Sequence, residues 1–329
     1  MRQTVWLLLI FGFLGLSVAQ ADNESASDLS NAGALCYERG DYAQAETVLT
    51  HSVALWTAED QISGEDYAST LNNLAAVYRM QARYGEAEKL YLQALRIREH
   101  NGTTATEQNA KVLHNLARLY LETAQYESAE TFARRALRTR EKLSGNIGDV
   151  LAESANLLGV IMQRTGRNPD ALKLYQQALH LAETAPDNQD GTIAEVLTSL
   201  GALYRTSGNL PAAKESLTQA VQLLRHQPRF TPLLPAALNN LGLAARSERD
   251  YKQAQDLLEE ALSISEKTAG RNQPEYASIL SNLGLVYQDR HKVDKARALY
   301  LEAFQIHASK LGAQNPQARS DLINLGEVR

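Results

Sequence analysis

Cys36 is the one cysteine in 329 residues, so the chain can form no intramolecular disulfide and cannot build a cysteine-rich zinc site. A basic excess is missing too. With 33 Lys and Arg against 38 Asp and Glu the net charge is -5, whereas a nucleic-acid surface normally carries a strong basic surplus. Tryptophan and phenylalanine are scarce, two and five residues, which leaves fourteen tyrosines to explain. The sequence has no phosphate-cradling glycine loop, no His-Glu-x-x-His and no Gly-x-Ser-x-Gly. Its histidines (His51, His100, His114, His180, His226, His291, His307) are scattered, with no close pair at ligand spacing. These absences point away from an enzyme and predict no metal and no cofactor.

One apolar run is long, Val5 to Val18. Arg2 precedes it, and Ala19-Gln20-Ala21 then Asp22 follow it. A basic start, an apolar centre and small residues at a cleavage point predict a secretory signal peptide over residues 1–21, cut after Ala21. The run is short of the ~20 residues a membrane span needs, so a membrane is a partner only if the segment stays uncleaved. The mature protein is then exported, periplasmic or secreted. No cysteine stands at the junction to take a lipid, and polar Asp22 to Asp28 is expected to be a short tether.

From residue 29 to residue 329 the chain is a repeat. In the stretch Tyr67 to Glu99, Leu74, Ala75 and Tyr78 share one helical face, and Ala87, Tyr91 and Ala94 share another. Two amphipathic helices joined near Ala82 and Arg83 are predicted. The Leu74 position recurs at Ala32, Leu116, Leu158, Leu200, Leu241, Leu283 and Leu325, each step 42 residues except the 41 between Leu200 and Leu241. Alanine fills every equivalent of Ala87: Ala45, Ala129, Ala171, Ala213, Ala254 and Ala296. Seven full copies and the first helix of an eighth result, and eleven of the fourteen tyrosines fall on three repeat positions.

A large residue, a small one, a tyrosine three on, a fixed alanine, an aromatic four later and another alanine resemble the tetratricopeptide repeat. The spacing and the Asn-Leu-Ala or Asn-Leu-Gly triplet are similar to the kinesin light chain subtype. The resemblance implies an all-α fold, a right-handed superhelical solenoid of antiparallel helix pairs whose first helices line a concave groove. Kinesin light chains carry a coiled coil before their repeats, where this chain has the apolar leader, so motor-linked transport is not carried over.

Several local readings follow from the frame. Cys36 replaces a tyrosine in the divergent first copy and is expected to be a small core residue. Arg39-Gly40-Asp41 spells an adhesion tripeptide, but Gly40 aligns with Gly166 and Gly208 at the ends of first helices and is expected to be a left-handed cap. Arg96, Arg98, Arg134, Arg135, Arg138 and Arg140 are assigned to a solvated face beside Glu99 and Glu141. Pro169 and Pro211 open second helices, with Asn168 as a cap. Pro228, Pro232 and Pro235 interrupt the array. In the last helix Asp321, Glu327 and Arg329 are expected to face water.

The positive functional signal is a row of asparagines one residue before the large position: Asn31, Asn73, Asn115, Asn240, Asn282 and Asn324, broken by Leu157 and Ser199. Asparagine costs about half a kcal/mol against alanine inside a helix, so this row asks for a use. The resemblance places it in the groove, where an amide can bond both the N–H and the C=O of an extended peptide. Amides bonding across neighbouring helices of the array are the competing account. Asn72, Lys111, His114, Arg118, Asn156, Arg164, Arg205, Asn239 and Arg246 on the same face complete the candidate groove and give it a basic tilt. The expected partner is a protein segment with carboxylates and some apolar residues. Two rivals stand beside this scaffold: a structural subunit that oligomerises through array ends or its convex face, and an enzyme with an unrecognised site at the Pro228 to Pro235 joint.

Overall fold

A computed structural model describes residues 25–143, 145, 147–186 and 190–328, with the side chains of residues 228–230 left aside. The leader over residues 1–21 lies outside the described residues. Those described hold α-helices, one 3-10 helix and no strand. First helices are α1 (Ala26–Glu38), α3 (Glu65–Met80), α5 (Glu107–Glu122), α7 (Gly148–Arg164), α9 (Asp190–Thr206), α11 (Leu234–Ser247), α13 (Pro274–Asp289) and α15 (Pro316–Glu327). Second helices are α2 (Tyr42–Ala58), α4 (Tyr84–His100), α6 (Tyr126–Arg140), α8 (Asn168–Thr184), α10 (Leu210–Arg225), α12 (Tyr251–Thr268) and α14 (Val293–Leu311). The chain forms two compact units, the first ending at Thr104 and the second starting at Ala105. In the second, α5, α7, α9, α11 and α13 touch in succession, whereas successive second helices make at most weak contact. The first-helix side is therefore the tighter, inner face of that unit.

Each first helix of a pair ends in the same way. The residue eight after the large position takes a positive φ: Gly40, Gly166 and Gly208, but also Ala82 (φ 56°), Ala124 (60°), Arg249 (65°) and His291 (57°). The next N–H then reaches a carbonyl five residues back, as from Arg83 to Tyr78 at 2.8 Å and from Gln125 to Tyr120 at 2.7 Å. That doubled-back bond satisfies orphan carbonyls and turns the chain toward its second helix. Arg39-Gly40-Asp41 is one of these joints, with the Asp41 carboxylate accepting the Gln44 N–H at 3.1 Å.

Pair packing follows from the small residue after the large one. A Cβ at Gly159 would stand 2.6 Å from the Tyr175 ring, and one at Gly284 would stand 2.6 Å from the Tyr300 ring. Tyr91, Tyr175 and Tyr300 are fully buried, as are all the alanines equivalent to Ala87, so helix axes come close only because these positions stay small. Cys36 is buried in the core of the first unit.

Four expectations need correction. Ala26, Ser27 and Asp28, expected in the tether, belong to α1: Ser25 and Asp28 form a reciprocal capping box, and Ala26 is buried, while residues 22–24 lie outside the described residues. Asn168 does not cap α8; Arg167 holds the cap position with no side-chain cap bond, while Asn209 does cap α10. Arg98 and Arg140 are not solvated. Both are 2% exposed, and their partners are Glu65 and Glu107 at the starts of their own first helices, not Glu99 and Glu141. Asp321 is also 2% exposed, paired with His307 Nδ1 at 2.6 Å. The proline joint forms a 3-10 helix over Pro228–Leu233, and Pro235 then opens α11 where its missing N–H costs nothing.

Candidate functional site

The candidate residues lie on the first helices, and the two units hold separate parts of the set. On the first unit Asn31 is exposed, while Asn73 is half-buried and accepts from Asn72 Nδ2 at 3.5 Å. On the second unit Asn115 follows the buried His114, and the asparagine column then lapses through Leu157, itself buried, and Ser199. It resumes on α11 and α13. There Asn282 Nδ2 donates to Asn239 Oδ1 at 2.8 Å across the two helices, and Asn240 Nδ2 donates to the Ala236 carbonyl of its own helix at 3.0 Å. Asn324 is half-buried on α15. Amide bonds across neighbouring helices therefore exist, at Asn239 and Asn282. Asn156 on α7 keeps its Oδ1 enclosed with no donor.

The cations on this face fall into two kinds. Lys111, Arg118 and Arg164 are exposed. Arg246 is forked onto Asp289 of α13, Nε to Oδ2 at 2.6 Å and Nη2 to Oδ1 at 3.2 Å, a two-bond geometry that fixes both groups. Arg205 on α9 is half-buried, and its Nε is enclosed without an acceptor. Burial first, then the like charge of Arg246, push the Arg205 guanidinium below its ordinary range. Near Arg118, burial raises the Glu153 carboxyl; Arg140 opposes the shift and Glu195 adds to it. Glu275 at the start of α13 is reached by solvent, yet crowding by surrounding protein and then the Glu122 carboxylate push it up to about 7.

One constellation has the spacing of acyl-transfer chemistry. Ser278 Oγ lies 3.2 Å from His307 Nε2, and His307 Nδ1 lies 2.6 Å from Asp321. Nε2 is also 3.0 Å from the Pro274 carbonyl, and a carbonyl can only accept, so Nε2 must carry the hydrogen that this bond needs. Ser278 Oγ donates to that same carbonyl at 2.9 Å. With that geometry the imidazole cannot take the serine proton, and the trio ties α13, α14 and α15 together. The frame could have flagged it, since His307 shares its repeat position with Trp56, Arg98 and Arg140, which are all buried. Among the described residues no group of three or more His, Cys, Asp or Glu is placed to hold a metal ion. A hollow of 680 Å³ between α8, α9 and α10, lined by Leu179, Ile193, Leu197 and Leu223, lies toward the other end of α9 from Arg205.

Paired helices stacked with an inner layer of first helices define a helical-repeat solenoid, a class whose exposed inner side chains meet other proteins. Tetratricopeptide repeat profiles match residues 24–100, 110–147, 150–226, 233–306 and 275–329. The chain belongs to the tetratricopeptide repeat family, whose members generally mediate protein–protein interactions and are typically non-catalytic scaffolds. A search of curated proteins finds no match. Among solved structures the APC/C hetero-tetramer Cut9-Hcn1 is similar at 17% identity and TM-score 0.60, covering 98% of this chain, which itself spans 51% of that one. BtubC (BKLC) from P. vanneervenii is similar at 23% identity and TM-score 0.49, covering 71% of this chain and 92% of that one. A Podosopora anserina putative kinesin light chain with nearly identical TPR-like repeats matches at 20% identity and TM-score 0.44, covering 62% of this chain and 97% of its own. At 17% identity the likeness to Cut9-Hcn1 shows the fold alone.

Proposed function

We propose that this protein is an exported, non-catalytic scaffold that holds an extended segment of another protein against its first-helix faces. The observation that carries the reading is the polar inner surface of the second unit. Lys111, Arg118 and Arg164 stay exposed there and the Nε of Arg205 meets no acceptor among the described residues, although the chain as a whole is acidic. Amides supply sequence-tolerant bonds to a partner main chain at about 0.5–1.5 kcal/mol each, and among the cations the half-buried Arg205 is the one that selects for a carboxylate, since exposed charges are screened by salt. Export rests on the pattern of residues 1–21, and a mature N-terminus at Asp22 is its check. The test of binding combines Asn73→Ala, Asn115→Ala and Asn282→Ala. Helicity by circular dichroism should hold, while capture of the segment that co-purifies from the native envelope falls several-fold. Unchanged capture would discard the amide reading.

A structural subunit is the second reading, and one observation favours it. The position three before the large residue is buried at Leu71, Leu113, Ala155, Leu197, Leu238 and Leu280, yet Leu322 on α15 is 53% exposed beside Ile323 at 58%. An apolar face of this kind suits another helix. Oligomers in light scattering that survive the asparagine variants and vanish in Leu322→Asp would favour this account.

A further inference from the structure

The repeat supplies internal controls for one arginine. Five residues after the large position stand Gln163 on α7 and Gln288 on α13, and each accepts the buried tyrosine hydroxyl of its own pair, Tyr175 at 2.8 Å and Tyr300 at 2.7 Å. In the two pairs between them the tyrosine is replaced by Leu217 or Leu258, which offer no polar atom, and the glutamine by Arg205 or Arg246. Arg246 is compensated from the next first helix by Asp289. Counting back 42 residues, the place equivalent to Asp289 facing Arg205 belongs to Ser247, which is exposed and donates its hydroxyl to Leu243 of its own helix at 3.0 Å. Glu248 next to it is engaged with Lys214 at 2.8 Å. Of these two arginines Arg205 is thus the one with no acid bonded to it among the described residues, and the atom enclosed without an acceptor, Nε, is the atom that Asp289 meets in Arg246.

We propose that Arg205 receives a carboxylate of the bound segment, seated between α9 and α11 where Ser247 stands in the position that Asp289 holds one repeat later. This rests on the scaffold reading and assigns that reading a residue and a ligand chemistry. The Arg246–Asp289 fork gives the geometry: one carboxylate oxygen on Nε and the other on an Nη. A lysine, a point donor, reproduces only part of it.

The test uses the 329-residue chain and dye-labelled octapeptides of alternating Ser and Glu, with Ser and Gln counterparts, each made with a free and an amidated C-terminus. Anisotropy should show the Glu peptide binding about tenfold tighter than the Gln peptide, as expected of a charged two-bond contact. Arg205→Gln should abolish that preference, and Arg205→Lys should keep a fraction of it. Ser247→Asp should also abolish it, because an internal carboxylate then occupies the arginine, and should raise the melting temperature. Binding of the free-terminus peptides alone would assign the site to a chain end instead of a side chain, with the carboxylate chemistry unchanged. Equal binding of Glu and Gln peptides to the wild type, or a preference that persists in Arg205→Gln, overturns the carboxylate site and leaves the scaffold standing. Failure of all the peptides to bind the wild type at millimolar concentration counts against both.

Discussion

Arg140→Leu should destabilise the second unit by about 2–4 kcal/mol. The guanidinium is 2% exposed and holds Glu107 through Nε at 3.1 Å and Nη2 at 2.6 Å, while Nη1 reaches the Val150 carbonyl and Ser154 Oγ, both at 2.7 Å. One side chain thereby ties α5, α6 and α7. Breaking a buried pair costs about 3–5 kcal/mol because the remaining charge is left uncompensated. Here the Glu107 side chain is 35% exposed and can rehydrate, which moves the cost to the low end. Ser154, 1% exposed, has no such relief, and a stranded buried hydroxyl costs about 1–3 kcal/mol. The array itself shows the apolar alternative: the same position holds Ala182 and Leu224, and the equivalent of Ser154 one copy later is Val196, all buried. Adding Glu107→Gln and Ser154→Val to Arg140→Leu should therefore recover at least half of the loss. Urea unfolding followed by circular dichroism gives the difference, with hydrogen exchange across α5 to α7 as a local readout because repeat arrays can depart from two-state behaviour. A single variant within about 0.5 kcal/mol of wild type, or a triple variant no better than the single, would refute the buried-guanidinium reasoning.

Gly159→Ala should cost about 1–3 kcal/mol in the same assay, since the new Cβ meets the Tyr175 ring at 2.6 Å, whereas Gly85→Ala, with nothing within 4 Å, should not destabilise. Ala124→Gly should stabilise by about 0.5–1 kcal/mol, the left-handed penalty of about 1–2 kcal/mol at φ 60° less the added freedom of glycine in the unfolded chain. Glu275 supplies a pH test. Its carboxyl is raised from 4.5 to about 7 in the folded protein, so the fold prefers the protonated form and loses stability as pH rises from 4.5 through 7. Glu275→Gln should accordingly gain melting temperature over wild type at pH 8 and none at pH 4, by a small margin because solvent reaches the group. An equal difference at both pH values would refute it.

The helix pairs were legible because period, small residue and fixed alanine all report one packing geometry, and each recurs enough times to outvote local exceptions. Left-handed joints were legible by residue type only at Gly40, Gly166 and Gly208. At Ala82, Ala124, Arg249 and His291 the residue type speaks against positive φ, and the register alone identifies them. Arg98, Arg140 and Asp321 were misassigned by giving charge to the surface according to type, although the column of Arg98 and Arg140 also holds Trp56 and Leu224, and that of Asp321 holds Val112, Val196 and Ile279, which belong in a core. Of the candidate site, the helix and the face were legible. The pairing of Asn282 with Asn239, and the turn of Asn240 onto its own backbone, depend on rotamers that no spacing encodes.

A repeat array turns each polar departure from its column into an experiment with several controls. Where an apolar or neutral column admits a charge, the copies show whether the fold itself answers it: Glu107 answers Arg140, Glu65 answers Arg98 and Asp289 answers Arg246. All three answers come from a first helix, the element that also forms the inner face. Residues that neutralise buried charge and the cations proposed to meet a partner therefore stand on the same helices, and Arg205 and Arg246 differ in whether the next first helix supplies an acid. Exchange of Ser247 and Asp289, as Ser247→Asp with Asp289→Ser, should move the unanswered cation from Arg205 to Arg246. If the carboxylate preference of the inner face moves with it, partner choice in this protein is set by which copies lack an internal acid. A preference that stays at Arg205 after the exchange would place its origin outside that pairing.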